Sequence, residues 1–130
     1  MNPVIKTRCG EVGGSVAHGG NTLKGIRYAA PIGSDPPLPV PPWSGVLDAL
    51  TYGPKPPQLP YPPPIDVLLP ELAVTGEDCL NLNIWSPEPE SARQPVMVWI
   101  PGGEFEHGTG AWPWYDGQRV RPRWHRLRDD

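Results

Sequence analysis

The tightest constraint on how this 130-residue chain can fold is a run of five apolar residues, Val96 to Ile100, held between Pro95 and Pro101. A run of that length bounded by breakers reads as a strand buried on both faces, because a half-exposed strand would alternate apolar with polar. Pro101 has no N–H and ends the ladder, and Gly102-Gly103 lets the backbone turn sharply with no side chain in the way. The strand thus delivers bare main-chain amides to its C-terminal end, where ligands bind in open α/β sheets. Paired backbone N–H groups are what an acyl-transfer enzyme uses to hold a developing oxyanion. A glycine turn that merely ends a strand is the plainer alternative.

Upstream, the glycine-punctuated stretch from Thr7 to Lys24, with Val12, Val16 and Leu23, suits a short N-terminal hairpin or meander. Leu80, Leu82 and Ile84 alternate with Asn81, Asn83 and Trp85, a period of two that marks a strand with one buried face. The polar, proline-broken connection from Ser86 to Gln94 is too short for a parallel crossover, which makes this strand and Val96–Ile100 antiparallel neighbours. Before it lies a proline tract, Pro31 to Pro70, containing Pro36-Pro37-Leu38-Pro39-Val40-Pro41-Pro42 and Pro60-Tyr61-Pro62-Pro63-Pro64. Such runs favour extended polyproline II, either as solvated linkers or as ligands for aromatic grooves. With 21 prolines and 15 glycines the chain is rich in both, a level at which the segments that carry them tend toward disorder.

Glu77-Asp78-Cys79-Leu80-Asn81-Leu82-Asn83-Ile84-Trp85-Ser86-Pro87, taken with V-M-V-W-I-x-G-G, closely resembles the type-B carboxylesterase family, the para-nitrobenzyl-esterase and cholinesterase-like branch of the α/β-hydrolases. Leu23-Lys24-Gly25-Ile26-Arg27-Tyr28-Ala29-Ala30-Pro31 is similar to the family's F-x-G-I-P-Y-A-x-P, and Pro42-Trp43-Ser44-Gly45-Val46 to its P-W-x-G-V. Tyr115-Asp116-Gly117 resembles the Y-D-G that follows the oxyanion loop. The motifs stand in the family's order and belong to the opening quarter or so of a member. The resemblance implies an α/β fold class: an N-terminal fragment of an α/β-hydrolase over residues 1–118, mostly short strands and proline-rich loops with a small antiparallel or mixed sheet. It also assigns the oxyanion roles to the N–H groups of Gly103 and Glu104, with Gly102 supplying the turn. Glu104 stands where the family has a third Gly or Ala, and its carboxylate would oppose negative charge building up on a substrate. Pro101 stands where the family usually has His.

Other departures from the family pattern carry expectations of their own. The family's E-D-C-L cysteine resembles one that pairs with a Cys just before P-Q. Here Pro56 takes that place, so Cys79 reads as a free thiol behaving as a small hydrophobe, which suits a reducing compartment. In the family a Gly-x-x-Arg-Phe stretch within an irregular proline-rich excursion supplies an Arg for the acid before the E-D-C-L aspartate. This chain has Gly33-Ser34-Asp35-Pro36-Pro37, which leaves Glu77 without that partner and in need of solvent.

The catalytic machinery of a serine esterase is not in this sequence. Gly13-Gly14-Ser15-Val16-Ala17 approaches the nucleophile-elbow pattern G-x-S-x-G but ends in Ala17 and has no strand-then-helix context, so Ser15 reads as a turn residue. His107 reads as loop surface, because the family's catalytic His arrives far downstream; Phe105 and Trp112 are expected to pack under the loop. His18 and His125 have no elbow to serve. The implied reading is a truncated carboxylesterase that retains the oxyanion loop but has no catalytic residues, and so is inactive alone; no metal or cofactor is called for. The alternative is a non-catalytic interaction piece that presents its proline-rich tract to a groove. The implied partner is a small-molecule ester in the full-length family, with self-association through exposed strand edges. A net charge of −3 gives no reason to expect nucleic acid or an anionic membrane, and no apolar run is long enough to span a bilayer. Met1-Asn2-Pro3-Val4-Ile5-Lys6 has no signal-peptide pattern, so the expected location is cytoplasmic.

Residues 119–130 resemble nothing in the family. Arg119, Arg121, Arg123, Arg126 and Arg128 would suit a basic nucleic-acid tail, but they have no scaffold and one nearby stacking residue, Trp124. Reading Val120 to Asp130 one nucleotide later permits F-A-R-D-G-I-V-F-V-T, which is similar to the family's continuation after Y-D-G. A frameshift or a sequencing error is therefore the expected origin of this tail.

Overall fold

The computed structural model describes residues 2–17, 20–32, 35–69, 72, 74–87, 95–104 and 106–119. In chain order its elements are β1 (Val4–Lys6), β2 (Glu11–Gly13), β3 (Ser15–Val16), β4 (Gly20–Arg27), β5 (Ala30–Ile32), β6 (Asp35–Leu38), β7 (Val46–Asp48), the single-turn helix α1 (Ile65–Leu68) and β8 (Asn81–Pro87). Two 3-10 turns follow, Pro113–Tyr115 and Gly117–Arg119.

Three small sheets result. In the first, β1 pairs antiparallel with β2, placing Ile5 opposite Val12, and β7 adds in parallel on the other edge of β2. In the second, β4 is central, with β3 and β8 antiparallel on its two sides. β5 and β6 form a two-stranded antiparallel ribbon. The N-terminal meander expected from Thr7 to Lys24 is present as β2, β3 and β4, but the chain changes sheets at Gly14, whose N–H donates to Pro3 O at 2.9 Å. Ala49 joins the two main sheets: its N–H donates to Gly13 O and its carbonyl accepts from Lys24 N, both at 2.8 Å. The core sits at this junction, where Val12, Leu23 and Ala49 are buried and Ile5, Ile26 and Trp43 pack against them.

β4 is irregular between Leu23 and Ile26, and the irregularity explains the glycine of L-K-G-I-R. Gly25 has φ +66°, and a Cβ there would lie 2.8 Å from both Gly53 N and Thr51 O. Its N–H leaves the ladder and donates to Asn83 Oδ1 of β8 at 3.0 Å.

β8 is a strand, as the alternation in Leu80 to Trp85 predicts, and its register sets Ile84 opposite Leu23 and Leu82 opposite Ile26. The face read as buried is nevertheless the more exposed one: Asn81, Asn83 and Trp85 are half-buried and Leu82 and Ile84 are not. The cover of that side is incomplete: Leu82 stays 38% and Ile84 41% exposed. The intervening asparagines secure loops instead. Asn81 Nδ2 donates to Pro54 O at 2.9 Å and to Asp78 O at 3.1 Å.

Several expectations need correction. Val96 to Ile100 is not a buried strand: it pairs with no described residue, and its residues are between 51% and 85% exposed. The antiparallel neighbour of β8 is therefore β4, not this run. A strand that is apolar on both faces needs pairing at its edges and layers above and below, and the described residues supply neither. The proline tract is not one extended polyproline stretch either. Pro36 and Pro37 lie within β6, where a two-stranded ribbon leaves each strand an open edge that tolerates a missing N–H. Pro64 leads into α1. Gly33-Ser34 and most of the Ser86 to Gln94 connection lie outside the described residues. Cys9 and Cys79 are free thiols. Asp78 pairs with Arg27 at 3.2 Å, while Glu77 is solvent-exposed. Among the described residues no helix is long and apolar enough to cross a membrane.

Candidate oxyanion loop

The loop from Pro101 to Gly110 is shaped by one carbonyl. Gly103 O accepts from the N–H groups of both Glu106, at 3.0 Å, and His107, at 2.9 Å, which closes a tight turn. Gly103 has φ +149°, and a Cβ there would run into the His107 carbonyl, so only glycine fits. Glu104 follows at φ 56°, the left-handed region, and is the one non-glycine with positive φ among the described residues. Holding an L-residue there costs about 1–2 kcal/mol. The turn leaves the main-chain N–H groups of Gly102, Gly103 and Glu104 adjacent and donating to no described residue.

The downstream half of the loop is anchored. Asn83 Nδ2 donates to Gly110 O at 3.2 Å, Ala111 N donates to Thr109 Oγ1 at 3.1 Å, and Thr109, Ala111 and Trp112 are buried. The His107 ring stacks on Tyr61 with centroids 4.3 Å apart and planes 17° from parallel. Tyr61 also faces Trp112 at 6.0 Å, and Trp112 packs on Trp114 and Tyr115 at 4.9 and 5.7 Å. Trp99, at 5.8 Å from Tyr115, links the open run to this cluster.

Burial, and then the nearby Tyr115 and Glu104, push the Tyr61 phenol above its ordinary range, so it remains a neutral donor at physiological pH. Tyr52 is raised likewise, by burial and then by Asp116 of Y-D-G, and Lys24 Nζ lies 4.2 Å over its ring. A crevice lined by Tyr61, Thr109, Trp112, Lys55 and Leu72 measures about 10 Å³, room for roughly one water. A larger cavity of about 260 Å³ lies against Trp43, Pro41, Pro42 and Leu47, and no loop residue lines it. Among the described residues no group of three or more His, Cys, Asp or Glu could hold a metal ion.

The fold therefore brings Gly102, Gly103 and Glu104 together in one turn, and it keeps Ser15 out of any elbow. Ser15 sits in β3 opposite Thr22, with another strand rather than a helix next in the chain. His107 is not open loop surface, because its ring is engaged by Tyr61. Trp112 packs under the loop as expected; Phe105, His18 and His125 lie outside the described residues. Sequence reasoning missed Asn83 and Tyr61. The signals were there: asparagines at alternate positions of an otherwise apolar strand, and a lone aromatic flanked by prolines.

The chain was compared with known proteins. A family model described as the carboxylesterase family matches residues 1–122. The para-nitrobenzyl esterase of Bacillus subtilis (strain 168) is 40% identical over 124 residues, covering 90% of this chain and 24% of that protein. The phenmedipham hydrolase of Pseudarthrobacter oxydans is 35% identical over 128 residues, covering 87% and 24%. A solved PNB esterase superimposes with a TM-score of 0.80 at 39% identity, covering 92% of this chain and 25% of its own. The chain thus spans about a quarter of the length of the relatives it matches.

Proposed function

This chain belongs to the carboxylesterase family, and on that footing we propose that it supplies the oxyanion element of an ester hydrolase, with the N–H groups of Gly103 and Glu104 as donors and Gly102 as the turn. The observation that supports this reading is the set of adjacent amides in the Gly103 turn that donate to no described residue. Residues 1–118 are then the opening part of an α/β-hydrolase domain, and 119–130 a segment foreign to it. The substrate class is a small-molecule ester; the relatives' names point to different esters and single out none.

Such a donor acts on a tetrahedral intermediate that a nucleophile must first create. The 130 residues contain no G-x-S-x-G, and His107 is stacked away on Tyr61. The chain by itself accordingly gives no turnover of p-nitrophenyl acetate above a heat-denatured control. Turnover that survives purification and disappears in Gly103→Pro would overturn the proposal, since it would require a nucleophile among these residues. The open run from Val96 to Ile100 also exposes five apolar side chains in a row, so the isolated chain is expected to self-associate as its concentration rises.

A further inference from the structure

We propose that Tyr61 is a positioning residue for the oxyanion loop, holding it through ring contacts with His107 and Trp112. The inference rests on the reading of residues 102–104 as the oxyanion element, and adds that the proline tract is the arm that keeps this element in shape. The start of the arm is fixed to the sheet, and a local turn follows Tyr61. At its start, Pro54 O accepts from Asn81 Nδ2 of β8 and Lys55 N donates to Val74 O at 3.1 Å. Beyond Tyr61, Pro62 O accepts from Ile65 N at 2.9 Å as α1 begins. Pro60 and Pro62 flank Tyr61 and restrict the backbone on either side of it.

Tyr61 meets the loop at two points, His107 at 4.3 Å and Trp112 at 6.0 Å. His107 is also the residue whose N–H closes the Gly103 turn, so what fixes its ring also bears on the turn that frees the amides. The circuit closes on β8, where Asn83 takes Gly110 O two residues from the asparagine that holds Pro54. Pulling Tyr61 away opens this circuit at its aromatic contact and leaves the β4–β8 ladder untouched.

The test is site-resolved amide hydrogen exchange on the full chain, kept dilute, in the parent, Tyr61→Phe, Tyr61→Ala, His107→Ala and the double alanine variant. An aromatic pair is worth enough to speed exchange at residues 106 and 107 by about 3- to 10-fold in either single alanine variant. Tyr61→Phe keeps the ring and should retain the parent rates. The double variant should exchange no faster than the single ones, and amides of β4 and β8 should not change. The proposal is overturned if Tyr61→Ala leaves residues 106 and 107 unchanged. It is equally overturned if that variant releases β4 and β8 to the same extent, or if the two alanine effects multiply. None of these readings depends on ester turnover, so failure of the oxyanion assignment and failure of the Tyr61 assignment are separately visible.

Discussion

β8 and the run from Val96 to Ile100 are both rich in apolar residues, yet one is paired along its length by β4 and the other is open to solvent. The difference lies in what each needs from its surroundings. β8 alternates, so one partner strand holds it even though Leu82 and Ile84 stay exposed, and its asparagines find main-chain partners at Pro54, Gly25 and Gly110. Val96 to Ile100 is apolar on both faces and is stable as a strand only with neighbours on its edges and layers above and below. Leaving a side chain of this size uncovered forfeits roughly 1 kcal/mol or more. A segment's apolar content therefore says that it wants burial, and only its neighbours decide whether burial occurs.

The largest expected effect sharpens this contrast. Leu23→Ala removes a side chain that is 2% exposed from a core of few residues, and should cost about 2–5 kcal/mol, enough to unfold so small a unit. Val98→Ala, at a position 77% exposed, should stay within about 0.5 kcal/mol. Denaturant titrations followed by circular dichroism read both, and equal losses would break the contrast. Next in size, Asn83→Ala leaves Gly25 N and Gly110 O without their side-chain partner and should cost about 1–3 kcal/mol. A loss no larger than that of Val98→Ala would show that the polar face of β8 is not what secures the loop.

A smaller effect of opposite sign is expected at Thr22. Its Oγ1 is buried without a hydrogen-bond partner, opposite Trp85, whose Nε1 is in the same condition. Thr22→Val removes the unpaired hydroxyl at nearly constant shape, and should raise stability by about 1 kcal/mol as a higher denaturation midpoint. A lower midpoint would mean that the hydroxyl has a partner, such as a bound water.

Much of the fold was legible where local pattern and local partner coincide. The meander from Thr7 to Lys24 and the period of two in Leu80 to Trp85 each announce strands whose partners lie within the chain. Gly102-Gly103 announced a sharp turn, and the turn is there. What could not be read locally was anything set by distant neighbours. Val96 to Ile100 reads as the best strand of all and is paired with no described residue, and Pro36-Pro37 reads as polyproline but joins β5 in a ribbon. The role of Tyr61 was hidden for the same reason, since a proline-flanked tyrosine gives no hint of which residue its ring will meet.

The account stands most directly on whether Val96 to Ile100 is unpaired in this chain while β4 and β8 are paired. Hydrogen exchange across the chain, at a concentration low enough to prevent association, answers that by reporting local opening segment by segment. The amides of β4 and β8 should be protected, and those from Val96 to Ile100 should exchange at the rate of an unstructured peptide. Protection of Val96 to Ile100 equal to that of β4 would contradict the account, because it would mean that these 130 residues bury their most apolar run without any neighbour from outside.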